Sequence, residues 1–430
     1  MTSRRGALKL ALGGGLAALG GCSSKGEPSG QSRRTIRLWV APNDAEEAFW
    51  SVAVARWNAS GKGLPVSFTT IPTAGNSEDT ILSALVSGTE PDISTNVFSG
   101  FAVQLANLGQ VVDLSAIAGY RELVAIRQMG AIMRSWSVNG RIYALPIYSS
   151  PTLIWWRDDI LRKYGFSEPP RTYDDVYRFS ARYAAGEKRY GMQVMAGRTW
   201  PDRWFDFISY YYAASGGEGY LDQADALYDN AAGKQVAGFM NRMFAEHWTS
   251  PDFDSDDPLV TGLAAGAVRG PWDLTHFRQM YPDALKNIVV GPMLAEAQQP
   301  GKTTTFTDSK GIVLFKSSKV KSEAFAFIAW ALGDEDLNLL WIEKTGSPPA
   351  RGDLLTNPRF ARHYADNPIE RAYAQYVEVA FPPALTEYTI DVQKIMTVAL
   401  VEPLSTGHAA PAAALADAVA RTNAFLALQQ

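Results

Sequence analysis

The run Ile36-Arg37-Leu38-Trp39-Val40, followed by Pro42-Asn43-Asp44 with Glu46 three residues after Asn43, decides how the chain is read. The first five residues are β-branched, aromatic and apolar enough to make a strand. An Asn followed three positions later by Glu marks a helix start, because the short amide side chain caps a free backbone N–H. Along the helix that follows, Trp50, Ala53, Val54 and Trp57 fall at i, i+3, i+4 and i+7 and make one apolar face. The two tryptophans are therefore read as core. A second strand spans Val66 to Ile71, and a second helix runs from Asp79 to Ser87, where Gly88 stops it. Pro91-Asp92-Ile93 opens a third strand. This βαβαβ rhythm predicts an α/β fold with an open, mostly parallel sheet, whose ligand crevice lies beyond the carboxyl ends of the strands.

On the N-terminal side, Arg4 and Arg5 precede an apolar, Gly-rich run from Leu10 to Gly21. That run is too short for a permanent membrane span and reads as an export signal. The paired arginines resemble a twin-arginine signal, with Ala7 where that pattern usually has Phe, so the export route is left open. Leu19-Gly20-Gly21-Cys22 resembles a bacterial lipobox, which makes Cys22 the expected lipid acceptor. Residues 1–21 are assigned to the signal and 22–34, rich in Ser and Gly, to a flexible tether. No later apolar run approaches the roughly 20 residues of a span. The protein is expected to hang from the outer face of the cytoplasmic membrane.

The chain has 430 residues, 47% of them apolar, enough for two domains of ordinary size. Lys and Arg total 40 against 44 Asp and Glu, so the basic excess of a nucleic-acid binder is missing. A single cysteine excludes an internal disulfide or a multi-cysteine metal site. No Gly-x-Ser-x-Gly elbow is present, and His247, His276, His363 and His408 form no His-Glu-x-x-His pair. The pairs Asp158-Asp159 and Asp174-Asp175 are sequence neighbours whose side chains diverge instead of flanking one bond. A glycosidase built from distant carboxylates stays open, but the expectation is a protein without catalysis, cofactor or metal.

The aromatic residues point to a ligand. There are 12 Trp, and aromatics make up 11% of the chain. Several stand in polar, loop-like settings: Trp200-Pro201-Asp202-Arg203-Trp204, Gly270-Pro271-Trp272-Asp273 and Asn96-Val97-Phe98-Ser99. A pyranose has a flat C–H face that an indole covers and a hydroxyl rim that Asp, Asn and Arg can bond. Trp204, Phe205 and Ile208 could equally form a packed helix face. Trp155 and Trp156 follow a strand-like Leu153-Ile154, so at least one of them is expected inside.

Gly88-Thr89-Glu90-Pro91-Asp92-Ile93, Asn139-Gly140-Arg141-Ile142-Tyr143-Ala144-Leu145-Pro146, Trp155-Trp156-Arg157-Asp158-Asp159-Ile160-Leu161 and Pro169-Pro170-Arg171-Thr172-Tyr173-Asp174-Asp175 resemble, in order, the landmarks of family 1 extracellular solute-binding proteins. Further on, Ala264 to Trp272, Val290-Gly291-Pro292 and Gly346-Ser347-Pro348-Pro349-Ala350-Arg351 resemble later elements of the same family. The resemblance implies a two-lobed periplasmic-binding-protein fold of type II. Residues 35–147 and 302–349 would form the first lobe, and 150–300 and 351–430 the second. The crossings would lie at Ile147–Pro151, near Pro300 and at Pro348–Arg351, with long loops at Arg198–Asp206 and Pro251–Asp257.

The resemblance also implies a site. Trp272 would stack on the ligand from the second lobe, with Trp200 and Asp202 beside it. Asn96 and Ser99 would touch it from the first lobe, and Asn43 and Asp44 would cap the first helix and reach the cleft. Ser150 follows the first crossing, Asp308 lies on the way to the next strand, and Arg351 either bonds ligand or clamps the third crossing. Thr307-Asp308 stands where relatives often carry two glycines, and Ser150 where the maltose-binding branch has a carboxylate. The implied function is a monomeric substrate-binding lipoprotein of an ABC importer that takes a carbohydrate, an oligosaccharide first, and hands it to permease subunits. The alternatives are a binder of a glycerol phosphate or other polyol ester, with Arg198, Arg269 and Arg351 as candidates for the phosphate, and a secreted carbohydrate-active hydrolase.

Overall fold

Buried Ile36, Leu38 and Val40 alternate with Arg37 and Trp39 along the first strand, which sets which of its faces meets the core. The computed structural model describes residues 34–72, 76–196, 200–222, 225–297 and 301–429, with the backbone alone for 200–204. Arg4, Arg5 and Cys22 lie outside the described residues. The strands are β1 (Ile36–Val40), β2 (Val66–Thr70), β3 (Ile93–Val97), β4 (Leu145–Pro146), β5 (Leu153–Arg157), β6 (Gly266–Arg269), β7 (Ile288–Gly291), β8 (Thr305–Phe306), β9 (Gly311–Leu314) and β10 (Ala380–Phe381).

β1 pairs in parallel with β2 over its whole length and with β3 at Leu38 and Trp39. β9 and β4 add antiparallel on the β3 side, giving the order β2-β1-β3-β9-β4. Parallel neighbours need crossover segments, which here contain α1 (Asp44–Ser60) and α2 (Ser77–Ser87). Asn43 caps α1: its Oδ1 accepts the Glu46 N–H at 2.9 Å, and its Nδ2 donates to Glu46 Oε1 at 3.1 Å. Phe49, Trp50, Ala53, Val54 and Trp57 are buried, so both tryptophans are core. α2 begins two residues before Asp79 because Asn76 accepts the Asp79 N–H at 2.7 Å.

The second sheet is antiparallel, with β5 between β6 and β7. Both faces of β5 are covered, so both of its tryptophans are buried. Trp155 packs edge-on to Phe277 at 5.0 Å and donates to the Tyr373 hydroxyl at 2.6 Å. Trp156 turns to the larger core, edge-on to Phe179 at 5.9 Å. A methyl group at Gly266 would fall 2.5 Å from the Trp156 ring, so this position has room for hydrogen only.

The two sheets carry separate cores. One gathers Ile36 through Ile147 with Ile312 through Ile342, and the other Ile154 through Phe306 with Val392 through Leu426. Leu354, Phe360, Tyr364 and Val377 pack into the first core although they follow the segment expected as the third crossing, Pro348–Arg351. Among the described residues, no helix is long and apolar enough to cross a membrane.

The loop expected over Arg198–Asp206 is helical from Trp200, as part of the Trp200–Ser215 helix. Pro201 does not prevent this, because a first-turn N–H has no intrahelical partner to lose. Residues 251–257 do lack helix and strand. Asp206 is fully buried. One oxygen accepts the Met195 N–H at 2.8 Å, and the other has no partner among the described residues. Burial pushes its carboxyl up to about 7 against the pull of that bond and of Arg269. The folded state then holds a proton that the unfolded chain releases, so this group's stability is full below about pH 4 and is lost as pH rises through about 7. Asp206→Asn is expected to flatten that decline and to raise the melting temperature by a few degrees at about pH 8. Calorimetry from about pH 5 to about pH 8 reads this directly, and equal slopes for variant and wild type would contradict it.

Candidate functional site

Three extended segments lie side by side, and the first two of them run between the two cores. The first, 147–152, bonds the second, 305–310, through Ile147 N–H to Lys310 O at 3.0 Å, Asp308 N–H to Ser150 O at 3.1 Å and Thr152 N–H to Phe306 O at 2.9 Å. It also bonds the third, 347–350, through Ser149 N–H to Pro348 O at 3.0 Å and Ala350 N–H to Ile147 O at 3.1 Å. The second of these segments is 305–310, while Pro300 lies outside the described residues. Hydroxyl groups join the same segments, with Ser149 Oγ 3.2 Å from Thr307 Oγ1 and Ser150 Oγ donating to Ser347 Oγ at 3.1 Å.

On this floor sits a cavity of about 280 Å³. Asn43, Ala45 and Glu46 line it from the start of α1, and Trp341 and Thr345 from the Glu335–Thr345 helix. Tyr148, Ser150, Asp308 and Ser347 rise from the crossings, while Trp272 and Thr275 face them from the second lobe.

Trp272 sits at the start of the Asp273–Met280 helix and is 38% exposed. Its ring lies over Gly270, where a Cβ would fall 2.1 Å from the indole, and its edge meets Phe205 at 6.1 Å. Phe205 in turn packs edge-on to Phe306 at 5.3 Å. The indole is thus propped before any ligand arrives. Opposite, Tyr148 stacks on Trp341 at 5.3 Å, and burial, with Glu46 and Asp308 nearby, holds its hydroxyl well above the usual tyrosine range. Lys310 Nζ donates to Asp308 at 2.8 Å and stands 5.7 Å over the Phe98 ring. Burial raises the Glu46 carboxyl to about 7, opposed by the Asn43 bond and by Lys310.

Asn43, Ser150, Asp308 and Trp272 thus come together around one space. The other residues named from sequence stand elsewhere. Asp44 is an exposed first-turn residue of α1 that does not line the cavity. Asn96 adopts φ 60° and donates to Ser77 Oγ at 2.9 Å, tying β3 to the start of α2. Ser99 is buried at the start of α3 (Ser99–Asn107) and donates to Pro383 O at 2.9 Å, in a seam between the lobes. Arg351 is 1% exposed and forks onto Asp353 with two bonds of 2.8 Å. It does not line the cavity, and its fork onto Asp353 is the contact expected of a clamp. The side chains of Trp200 and Asp202 lie outside the described residues.

Sequence reasoning did not single out Glu46, Tyr148, Thr275, Trp341, Thr345 or Ser347 as ligand contacts. Glu46 had been absorbed into the cap, and Tyr148 and Ser347 lay within the quoted crossing motifs. Trp341 offered no signal, since only the fold brings it to Tyr148.

A family model described as bacterial extracellular solute-binding protein matches residues 41–337. Over 349 residues the chain is 23% identical to the arabinooligosaccharide-binding protein of Bacillus subtilis (strain 168), with 78% of each chain covered. Among solved structures, it is similar to an uncharacterized protein of Listeria monocytogenes EGD-e, with TM-score 0.83 and 27% identity over 91% of this chain and 99% of that one. It is also similar to the sugar-binding protein MalE of Xanthomonas citri, with TM-score 0.78 and 18% identity over 92% of this chain and 98% of that one.

Proposed function

The chain belongs to the bacterial extracellular solute-binding proteins and has the two-lobed type II periplasmic-binding-protein fold, and from that premise we propose that it captures an oligosaccharide for an ABC importer. The observation that carries the reading is the cavity on the crossings, where one propped indole faces amide, hydroxyl and carboxylate groups. Apolar ring faces would lie on Trp272, and the hydroxyl rim would meet Asn43, Ser150 and Asp308. The lobes would close around the sugar by bending at the crossings, and the closed form would deliver it, chemically unchanged, to permease subunits. A lipid on Cys22 would keep the protein at the outer face of the membrane, within reach of those subunits. The B. subtilis relative, named for arabinooligosaccharides, supports the choice of an oligosaccharide.

Of the arginines that a phosphate ester would need, Arg351 is locked to Asp353, and Arg269 lies between Asp257 at 3.0 Å and Asp273 at 3.8 Å. Arg198 lies outside the described residues. Calorimetric titration with linear arabinose, maltose, xylose and chitin oligomers tests the proposal. The expected result is saturable binding near micromolar, about −8 kcal/mol, with the oligomer recovered intact. Product accumulation from any oligomer, or no heat across the panel from folded protein, would overturn it.

A further inference from the structure

Glu46 holds a place in the cavity that helix capping does not explain. It is 6% exposed and lines the same space as Trp272. Its Oε1 accepts the Asn43 amide, but its Oε2 is buried without any hydrogen-bond partner among the described residues. A carboxylate has acceptor capacity for several bonds, and leaving part of it dry destabilises the empty site unless a donor arrives with the ligand.

The groups around it decide which donor. Tyr148 stands on the first crossing, and Asp308 and Lys310 on the second, with Glu78 at the start of α2 acting on Lys310. Lys310 is bonded to Asp308, so its charge is already matched there. Trp272 and Thr275 bring no charge from the second lobe. An ionised Glu46 therefore leaves this corner net negative.

We propose that Glu46 is a specificity-determining residue, its Oε2 kept for a hydroxyl or amino donor of the ligand, so that the cleft selects neutral or cationic saccharides over those bearing carboxylate or phosphate. This rests on the reading of the cavity as a saccharide cleft. Because a donor favours the ionised carboxylate, and burial brings the free group's titration to about 7, ligand affinity rises with pH across that range.

The test is calorimetric titration with maltotriose, arabinotriose, a glucosamine trimer and a galacturonic acid trimer. For whichever neutral trimer binds, wild-type affinity is expected to increase about tenfold from about pH 6 to about pH 8, with the galacturonate trimer bound more than about tenfold more weakly than that neutral trimer. Glu46→Gln is expected to lose the slope and roughly tenfold in affinity, and Glu46→Asp to recover the slope. Trp272→Ala should weaken binding and keep the slope, which separates stacking from this role. If the wild type binds trimers with no slope, or takes the galacturonate as well as the neutral trimer, Glu46 does not have this role while the saccharide reading survives. If Glu46→Gln keeps both affinity and slope, the assignment also fails. If the folded wild type binds none of the probes, the saccharide reading falls and this inference with it. The wild-type slope and the ligand ranking decide the matter even if Glu46→Gln does not fold.

Discussion

Gly270→Ala is expected to weaken saccharide binding roughly tenfold without deleting any side chain. The added methyl would fall 2.1 Å from the Trp272 ring, and the ring is what must move, because it is the partly exposed member of that contact. Once tipped from Phe205, the indole no longer presents its face to the cavity. Trp272→Ala removes the face altogether and is expected to cost about 100-fold, near 3 kcal/mol, the scale of a central aromatic contact. Titration with whichever oligomer binds the wild type, alongside thermal melts of both variants, checks this. Unchanged affinity in both would mean that the ligand is not stacked on Trp272.

Asp353→Ala is expected to destabilise the protein by about 3–5 kcal/mol, the usual result of removing one partner from a buried ion pair. Asp353 is the carboxylate for Arg351, and Arg127 lies fully buried beside them. Arg127 donates one bond to Ile147 O at 3.0 Å, while its Nε and Nη1 have no partners among the described residues. Burial, with Arg351 adjacent, lowers its guanidinium to about 9. Without Asp353, two buried guanidinium groups would face each other and Arg351 would lose its bidentate carboxylate. Urea unfolding of the ligand-free protein measures the loss, and a change below about 1 kcal/mol would mean that water reaches the pair.

Much of the fold was legible because its signals are local. Asn43 and Glu46 cap α1 as their spacing suggests, and the i, i+3, i+4, i+7 set from Trp50 to Trp57 is the buried face. The start of α2 slipped by two residues because Asn76 went unread as a cap. The site was less legible. Asn43, Ser150, Asp308 and Trp272 stand at ends of elements or on crossings, where order along the chain fixes which way they face. Arg351 could be read two ways because the carboxylate that captures it, two residues on, cannot be told from sequence to share its buried fork. Trp341 and Tyr148 are far apart along the chain and meet only through the packing of the Glu335–Thr345 helix against the first crossing. Asn96 went to α2 because its left-handed backbone turns the amide toward Ser77.

The two segments that join the cores are bonded flank to flank, with 347–350 bonded alongside, so they do not behave as loose strings. Twisting one lobe against the other would shear those bonds, whereas folding the lobes together leaves them almost unstretched. One angle therefore remains soft. A membrane partner of the proposed kind needs to sense a single coordinate to learn whether the cleft is loaded, whichever oligomer fills it.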